Sequence, residues 1–176
     1  MLASGVAVAV DRFELDTAGA VVNGRATLAR GGRSIGTLDA TARLGAALAR
    51  IVIPGDVVTL SGPLGVGKTA LARAFIEELG HQGEVPSPSF AIVQPYDMLE
   101  PPVWHVDLYR IEDKAEIEEL GLDSAGDAVL LIEWPERAGD NAWTNALHLS
   151  LDFSQDGERI LTAHLPPSWE GRWPPR

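Results

Sequence analysis

The eight residues Gly62-Pro63-Leu64-Gly65-Val66-Gly67-Lys68-Thr69 satisfy G-x-x-x-x-G-K-[ST] at every specified position, and no other stretch restricts the fold of this chain so tightly. Such a loop works where a buried strand runs into it and a helix starts from it, because its amide N–H groups must ring a phosphate at a helix N-terminus. Both neighbours are legible. Val57 to Leu60 is a short apolar run suited to a strand buried on both faces. Thr69 to Leu79 carries Leu71, Phe75 and Leu79 at four-residue spacing and is closed by Gly80. Gly62, Leu64, Gly65, Val66 and Gly67 are therefore candidate nucleotide-binding residues. Lys68 is placed to bridge the β- and γ-phosphates, and the Thr69 hydroxyl to coordinate Mg²⁺. The plain alternative is a glycine-rich turn with an exposed lysine.

The rest of the chain reads as alternating helices and strands. LDATARLGAALAR, after a candidate N-cap at Thr37, places Leu38, Ala42, Gly45, Leu48 and Ala49 on one stripe of a helix. Strands are expected at Phe90 to Val93, Val103 to Leu108 and Val129 to Glu133, with a helix through Glu112 to Leu120. Leu147, Leu149, Leu151 and Phe153 alternate with polar or small residues, Asp156-Gly157 offers a turn, and Arg159 to Leu165 continues, which predicts a C-terminal antiparallel hairpin. The expected fold class is α/β and P-loop NTPase-like: a mostly parallel central sheet flanked by helices, with that hairpin added. Residues 1–36, with a weak hairpin signal at Asn23-Gly24 and the run Arg30-Gly31-Gly32-Arg33, form an N-terminal extension; 37–165 form the ATPase domain; 166–176 form an irregular tail.

Ligands of parallel sheets collect at the carboxyl ends of strands, so acids that terminate apolar runs are candidates. Val103-Trp104-His105-Val106-Asp107 and Val129-Leu130-Leu131-Ile132-Glu133 both end in one. Either carboxylate suits the magnesium shell or the attacking water; a helix cap or a surface salt bridge is the plain reading of each. Between them and the loop helix, Val85-Pro86-Ser87-Pro88-Ser89-Phe90 carries two hydroxyls on a proline-stiffened loop, and Ser89 is the candidate to orient a water or touch magnesium. Trp134 follows Glu133 and either fills core or shapes the pocket. His105 reads as a packed or surface group rather than a ligand. Arg110 and Arg137 read as ion-pair partners or as charge stabilisers.

Composition narrows the function. Acidic residues outnumber Lys and Arg by 25 to 14, for a net charge of −11, which argues against independent binding of nucleic acid. The imbalance is concentrated between Asp97 and Asp140, where the only basic residues are Arg110, Lys114 and Arg137; this is a solvated face or a docking surface for a more basic protein. Cysteine is absent, so disulfides, thiolate catalysis and Cys-based zinc sites are excluded. No apolar run of about eighteen residues and no basic n-region is seen, which predicts no membrane contact and a cytoplasmic location.

Taken together, these segments resemble one family: the TsaE-type P-loop ATPase of bacterial tRNA threonylcarbamoyladenosine (t6A) biosynthesis. The resemblance rests on Leu38-Asp39-Ala40-Thr41, GPLGVGKT, Ser87-Pro88-Ser89-Phe90, His105-Val106-Asp107-Leu108-Tyr109-Arg110, Glu119-Leu120-Gly121-Leu122-Asp123 and Ile132-Glu133-Trp134-Pro135-Glu136-Arg137, and it spans about residues 37 to 153. It implies an ATP- and Mg²⁺-dependent ATPase, weak alone, that supports the complex making N6-threonylcarbamoyladenosine at position 37 of tRNA. Its implied partners are the transferase subunit and that subunit's paralogue, with tRNA engaged only indirectly. The resemblance assigns Thr69 and Glu133 to Mg²⁺, Asp107 to the hydrolytic water or the metal shell, Lys68 to the phosphates, Ser89 to a switch-like loop, Thr41 to the approach of the base and Trp134 to the active-site edge. The family usually has threonine at the position of Ser89; residues 1–36 have no counterpart in it, and from Asp140 onward the match is a strand pattern alone, with no residue role carried over.

Two other functions use the same loop. A small-molecule or nucleoside kinase would add an acceptor site, usually with an arginine-bearing lid, whereas the stretch after Asp107 is acidic. A regulatory GTPase would need an [NT]-K-x-D element, and Lys68 and Lys114, the only lysines, lack that setting. A nucleotide-binding assembly module without hydrolysis is the non-enzymatic alternative.

Overall fold

A computed structural model describes residues 6–7, 20–22, 25–27, 38–139, 142–153, 155 and 159–173. In chain order the strands are β1 (Val6–Ala7), β2 (Ala20–Val22), β3 (Arg25–Thr27), β4 (Val57–Ser61), β5 (Val93–Tyr96), β6 (Val103–Asp107), β7 (Val129–Glu133), β8 (Leu147–Phe153) and β9 (Arg159–His164). The helices are α1 (Leu38–Ala49), α2 (Lys68–Glu78) and α3 (Lys114–Glu119). The main sheet runs β1-β9-β8-β4-β7-β6-β5. Its four central strands, β8, β4, β7 and β6, are mutually parallel, while β5, β9 and β1 join antiparallel at the two margins. The expected α/β fold and the β8–β9 hairpin are thus found. Strands β2 and β3 flank Asn23-Gly24 and pair antiparallel, Val22 opposite Arg25. The turns at Asn23-Gly24 and Asp156-Gly157, the cap at Thr37 and the Arg30–Arg33 run lie outside the described residues.

Period-two alternation along the parallel strands builds two apolar layers. Val58 and Leu60 of β4 with Val129 and Leu131 of β7 face α1 and α2 and join Leu44, Leu48, Leu71 and Phe75 in the larger core. Leu130 and Ile132 of β7 with Val106 of β6 face the other way, onto Leu108, Ile111 and Leu122, with Ile117 of α3 packed at the side. The two helices of the larger layer meet at Gly45, where a β-carbon would run into the Leu71 carbonyl. The buried side of α1 comprises Ala40, Thr41, Leu44, Ala47, Leu48 and Ala49, so Ala42, expected on the stripe, is only half-buried: the helix is turned toward Thr41. Helix α3 starts in a capping box, with Asp113 accepting from the Ala115 amide and Glu116 accepting from the Asp113 amide.

Two expectations need correction. The strand expected at Phe90 to Val93 begins only at Val93 and runs to Tyr96, and Phe90 lies in a turn, 83% exposed. Ile92 takes φ 65, a left-handed backbone that a β-branched residue rarely adopts, and this ends the turn rather than continuing a strand. Pro95 is tolerated within β5 because that strand lies at the sheet edge. The tail is more ordered than expected. Pro167–Trp169 form a 3-10 turn, Trp169 is fully buried in the larger core, and Arg172 donates to both carboxylate oxygens of Asp56, at 2.6 and 3.0 Å, and to the Ile51 carbonyl at 3.1 Å.

Candidate nucleotide-binding site

The glycine-rich loop leaves β4 at Ser61 and turns at Gly62, whose φ of 129 and contact with the Leu151 carbonyl leave no room for a β-carbon. It re-enters a helix at Gly67; the N-terminus of α2 has no side-chain cap, and its first turn borders the cleft in front of it. That cleft has a volume of about 240 Å³ and is lined by Leu64, Gly65, Gly67, Lys68, Thr69, Ala70, Ser87, Ser89, Asp107, Tyr109, Glu133 and Trp134.

Because β6 and β7 pair in parallel register with Asp107 opposite Glu133, and because His105 shares strand parity with Asp107, all three point toward α2 at the carboxyl edge of the sheet. Thr69 donates from Oγ1 to Glu133 Oε2 at 2.9 Å. The other oxygen, Oε1, accepts from His105 Nε2 at 2.9 Å, and both residues are buried. Asp107 Oδ2 accepts from Ser89 at 2.6 Å and from Ser87 at 3.2 Å, the two hydroxyls being 2.7 Å apart, while Oδ1 accepts the Tyr109 amide at 3.0 Å. The Asp107 amide in turn donates to the Ile92 carbonyl, which ties the serine loop to β6.

Lys68 is 4% exposed. Its ammonium donates to the carbonyls of Gly62 at 2.6 Å and Pro63 at 3.0 Å, and it lies 3.7 Å from the centre of a Trp134 ring. Trp134 reaches that place through a left-handed backbone, φ 60, directly after Glu133, and its ring also meets Tyr109 at 4.9 Å. Burial pushes the Lys68 ammonium below the ordinary lysine value, and the charges of Glu133, Glu136 and Asp107 pull back toward it. A group with the charge of a phosphate would favour the protonated form further.

Of the residues expected at the site, Leu64, Gly65, Gly67, Lys68, Thr69, Ser89, Asp107, Glu133 and Trp134 line one cleft. Gly62 contributes its carbonyl to Lys68. Val66 and Thr41 are not brought to the cleft. The Val66 side chain is buried in the core, and Thr41 is buried behind Gly67, its hydroxyl without a partner among the described residues. Three participants were not singled out for the site. From sequence His105 reads as a packed or surface group, yet it holds Glu133; its even spacing from Asp107 along the strand is the available signal. Ser87 was noted only as a second hydroxyl, and it shares Asp107 with Ser89. Arg159 donates to the Val66 carbonyl at 2.7 Å, and nothing local in its sequence marks it. Among the described residues no group of three or more His, Cys, Asp and Glu gathers as a metal cage. The hydroxyl and carboxylate of Thr69 and Glu133 suit Mg²⁺ instead, which takes one or two protein oxygens and completes its shell with phosphate and water.

Known proteins share both the sequence and the shape. A family model described as threonylcarbamoyl adenosine biosynthesis protein TsaE matches residues 35–161. Proteins named tRNA threonylcarbamoyladenosine biosynthesis protein TsaE are similar from Bacillus subtilis (41% identical, 70% of this chain and 76% of that protein), from Streptomyces coelicolor (42%, 74% and 91%) and from Mycobacterium tuberculosis (35%, 82% and 89%). Among solved structures, the crystal structure of B. subtilis YdiB superposes with a TM-score of 0.63 at 31% identity, covering 74% of this chain and 81% of that one. No helix among the described residues is long and apolar enough to cross a membrane. With more than half its length matched by the family model and these relatives covered over most of theirs, the chain belongs to the TsaE family of threonylcarbamoyl adenosine biosynthesis proteins.

Proposed function

We propose that this chain binds ATP with Mg²⁺ in the cleft before α2 and hydrolyses it as the accessory ATPase of t6A formation on tRNA. The observation that carries the reading is the convergence in one cleft of a buried lysine, an uncapped helix N-terminus, the Thr69–Glu133 pair and the hydroxyl-bonded Asp107. Each has a distinct task. The loop amides and Lys68 hold the β- and γ-phosphates, Lys68 exchanging its carbonyl partners for phosphate oxygens. Thr69 and Glu133 would hold the magnesium ion, with His105 fixing the free rotation of the carboxylate. When bound, that ion would act as a Lewis acid that neutralises phosphate charge. Asp107 orients the attacking water and accepts its proton, and Ser89 presents a hydroxyl to the same carboxylate or to the γ-phosphate. Trp134 and Tyr109 wall the cleft on the far side.

The protein acts in the cytoplasm with the transferase subunit and its paralogue, and meets tRNA only through them. The net charge of −11 and the exposed acidic run Glu112, Asp113, Glu116, Glu118 and Glu119 on and before α3 support a protein partner over direct tRNA binding. Titration calorimetry with ATP, with and without Mg²⁺, followed by phosphate release alone and with the two partners, tests the reading. Wild-type protein should bind in a Mg²⁺-dependent way and Lys68→Ala should not. Folded wild-type protein that takes up no adenine nucleotide would refute it, and efficient phosphoryl transfer to a nucleoside would replace it with the kinase alternative.

A further inference from the structure

The back of the phosphate loop is held by a residue that lies outside every loop motif. Arg159, the first residue of β9, donates from Nε to the Val66 carbonyl oxygen at 2.7 Å, across 93 positions of chain. It stands opposite Phe153 in the β8–β9 register, with its guanidinium carbon 5.7 Å from that ring. A β-carbon built on Gly67 would lie 3.7 Å from the same Arg159 nitrogen and 3.4 Å from the Thr41 methyl, so the two side chains together close the space behind that glycine. Gly65, Gly67, Lys68 and Thr69 line the cleft; Val66, between them, does not.

In a trans peptide the carbonyl and the next N–H point in opposite directions. Drawing the Val66 oxygen back onto Arg159 therefore turns the Gly67 N–H forward, to the side on which Gly67 lines the cleft. The contact is a hydrogen bond from a charged donor to a main-chain acceptor, among the stronger kinds. It also brings a second positive charge, after Lys68, beside a loop that is read as a phosphate cradle. We propose that Arg159 is a positioning residue for the nucleotide: it locks the Val66–Gly67 peptide with its amide toward the phosphates, and so makes the C-terminal hairpin part of the nucleotide site. Its binding consequence rests on the reading of the cleft given above; its hold on the loop does not.

Two measurements on the full chain separate these. Arg159→Met keeps an unbranched side chain opposite Phe153 in the strand register and removes the guanidinium, and Arg159→Lys keeps a charged donor. In nucleotide-free protein, hydrogen–deuterium exchange of peptides covering 62–69 should quicken about tenfold in Arg159→Met, with peptides from β4 and β7 unchanged. Calorimetry with MgADP should show affinity weakened by about the same factor, and Arg159→Lys should recover most of it. A folded Arg159→Met variant that binds MgADP within about twofold of wild type overturns the proposal, whatever its exchange. If Arg159→Met does not fold, Arg159→Gln takes its place in both measurements. Wild-type protein that binds no MgADP would defeat the nucleotide reading instead, and the exchange comparison alone would then decide whether Arg159 holds the loop.

Discussion

Asp107 and Glu133 end neighbouring strands, sit directly opposite in register and are both almost fully buried, yet they are held by different parts of the molecule. Glu133 is gripped from within: Thr69 belongs to α2, His105 to β6, and both are fixed by the packing of helix on sheet. Asp107 is gripped by two hydroxyls from a loop whose Ser87 and Phe90 are exposed, and by the amide of Tyr109 just after it in the chain. Rigid holders suit a ligand of a metal, whose geometry must not drift. Hydroxyls on a loop suit a carboxylate that must change partners when a water and a phosphate arrive.

The difference can be broken or sharpened by substitution, beginning with the largest effect. Glu133→Gln keeps the shape and removes the charge, so Mg²⁺-dependent phosphate release should fall on the order of a thousandfold while Mg²⁺-free ADP binding survives. If instead both fell together, Glu133 would be a structural residue and the contrast would dissolve. Asp107→Asn should lower the hydrolytic rate about a hundredfold and leave the calorimetric affinity for MgATP nearly unchanged. For His105→Gln, an amide can still donate to Glu133; the Mg²⁺ concentration giving half-maximal rate should rise about tenfold, with a lower thermal midpoint because the site is buried. Ser89→Ala should cost only about fivefold in rate, with Ser89→Thr restoring it and no change in thermal midpoint, since its bond belongs to the loop and not to the core. A Ser89→Ala variant that melts early would place the loop in the core's cooperative unit and erase the distinction.

Most of the site was legible because its parts are local. GPLGVGKT carries its chemistry in eight consecutive residues, and each carboxylate closes a short apolar run of strand length. What stayed hidden joins distant segments. The Arg159–Val66 bond spans 93 positions and the Arg172–Asp56 pair spans 116, and no periodicity links such residues. The misplaced strand near Phe90 has a local cause. An aromatic followed by Ala-Ile-Val resembles a strand and Pro95 argues against one, but the edge position of β5 and the left-handed Ile92 reverse both signals. The rotation of α1 is subtler: alanine is neutral enough that Ala40 or Ala42 could face inward, and the close approach of Gly45 to Leu71 decides it.

Trp169 and Arg172 follow every strand of the sheet in the chain, and this orders the protein's synthesis. At the usual pace of about 5–20 residues per second, a ribosome releases β4 and its loop several seconds before Trp169 and Trp173, the last residues of the layer beside them. Until then the nascent protein carries an open apolar seam, and Asp56 waits for its guanidinium. A transcript broken just after the codon for Leu165 would therefore yield a polypeptide with its glycine-rich loop intact in sequence but short of two buried tryptophans, each a loss of about 3–5 kcal/mol. Such a product would be prey for chaperones and proteases.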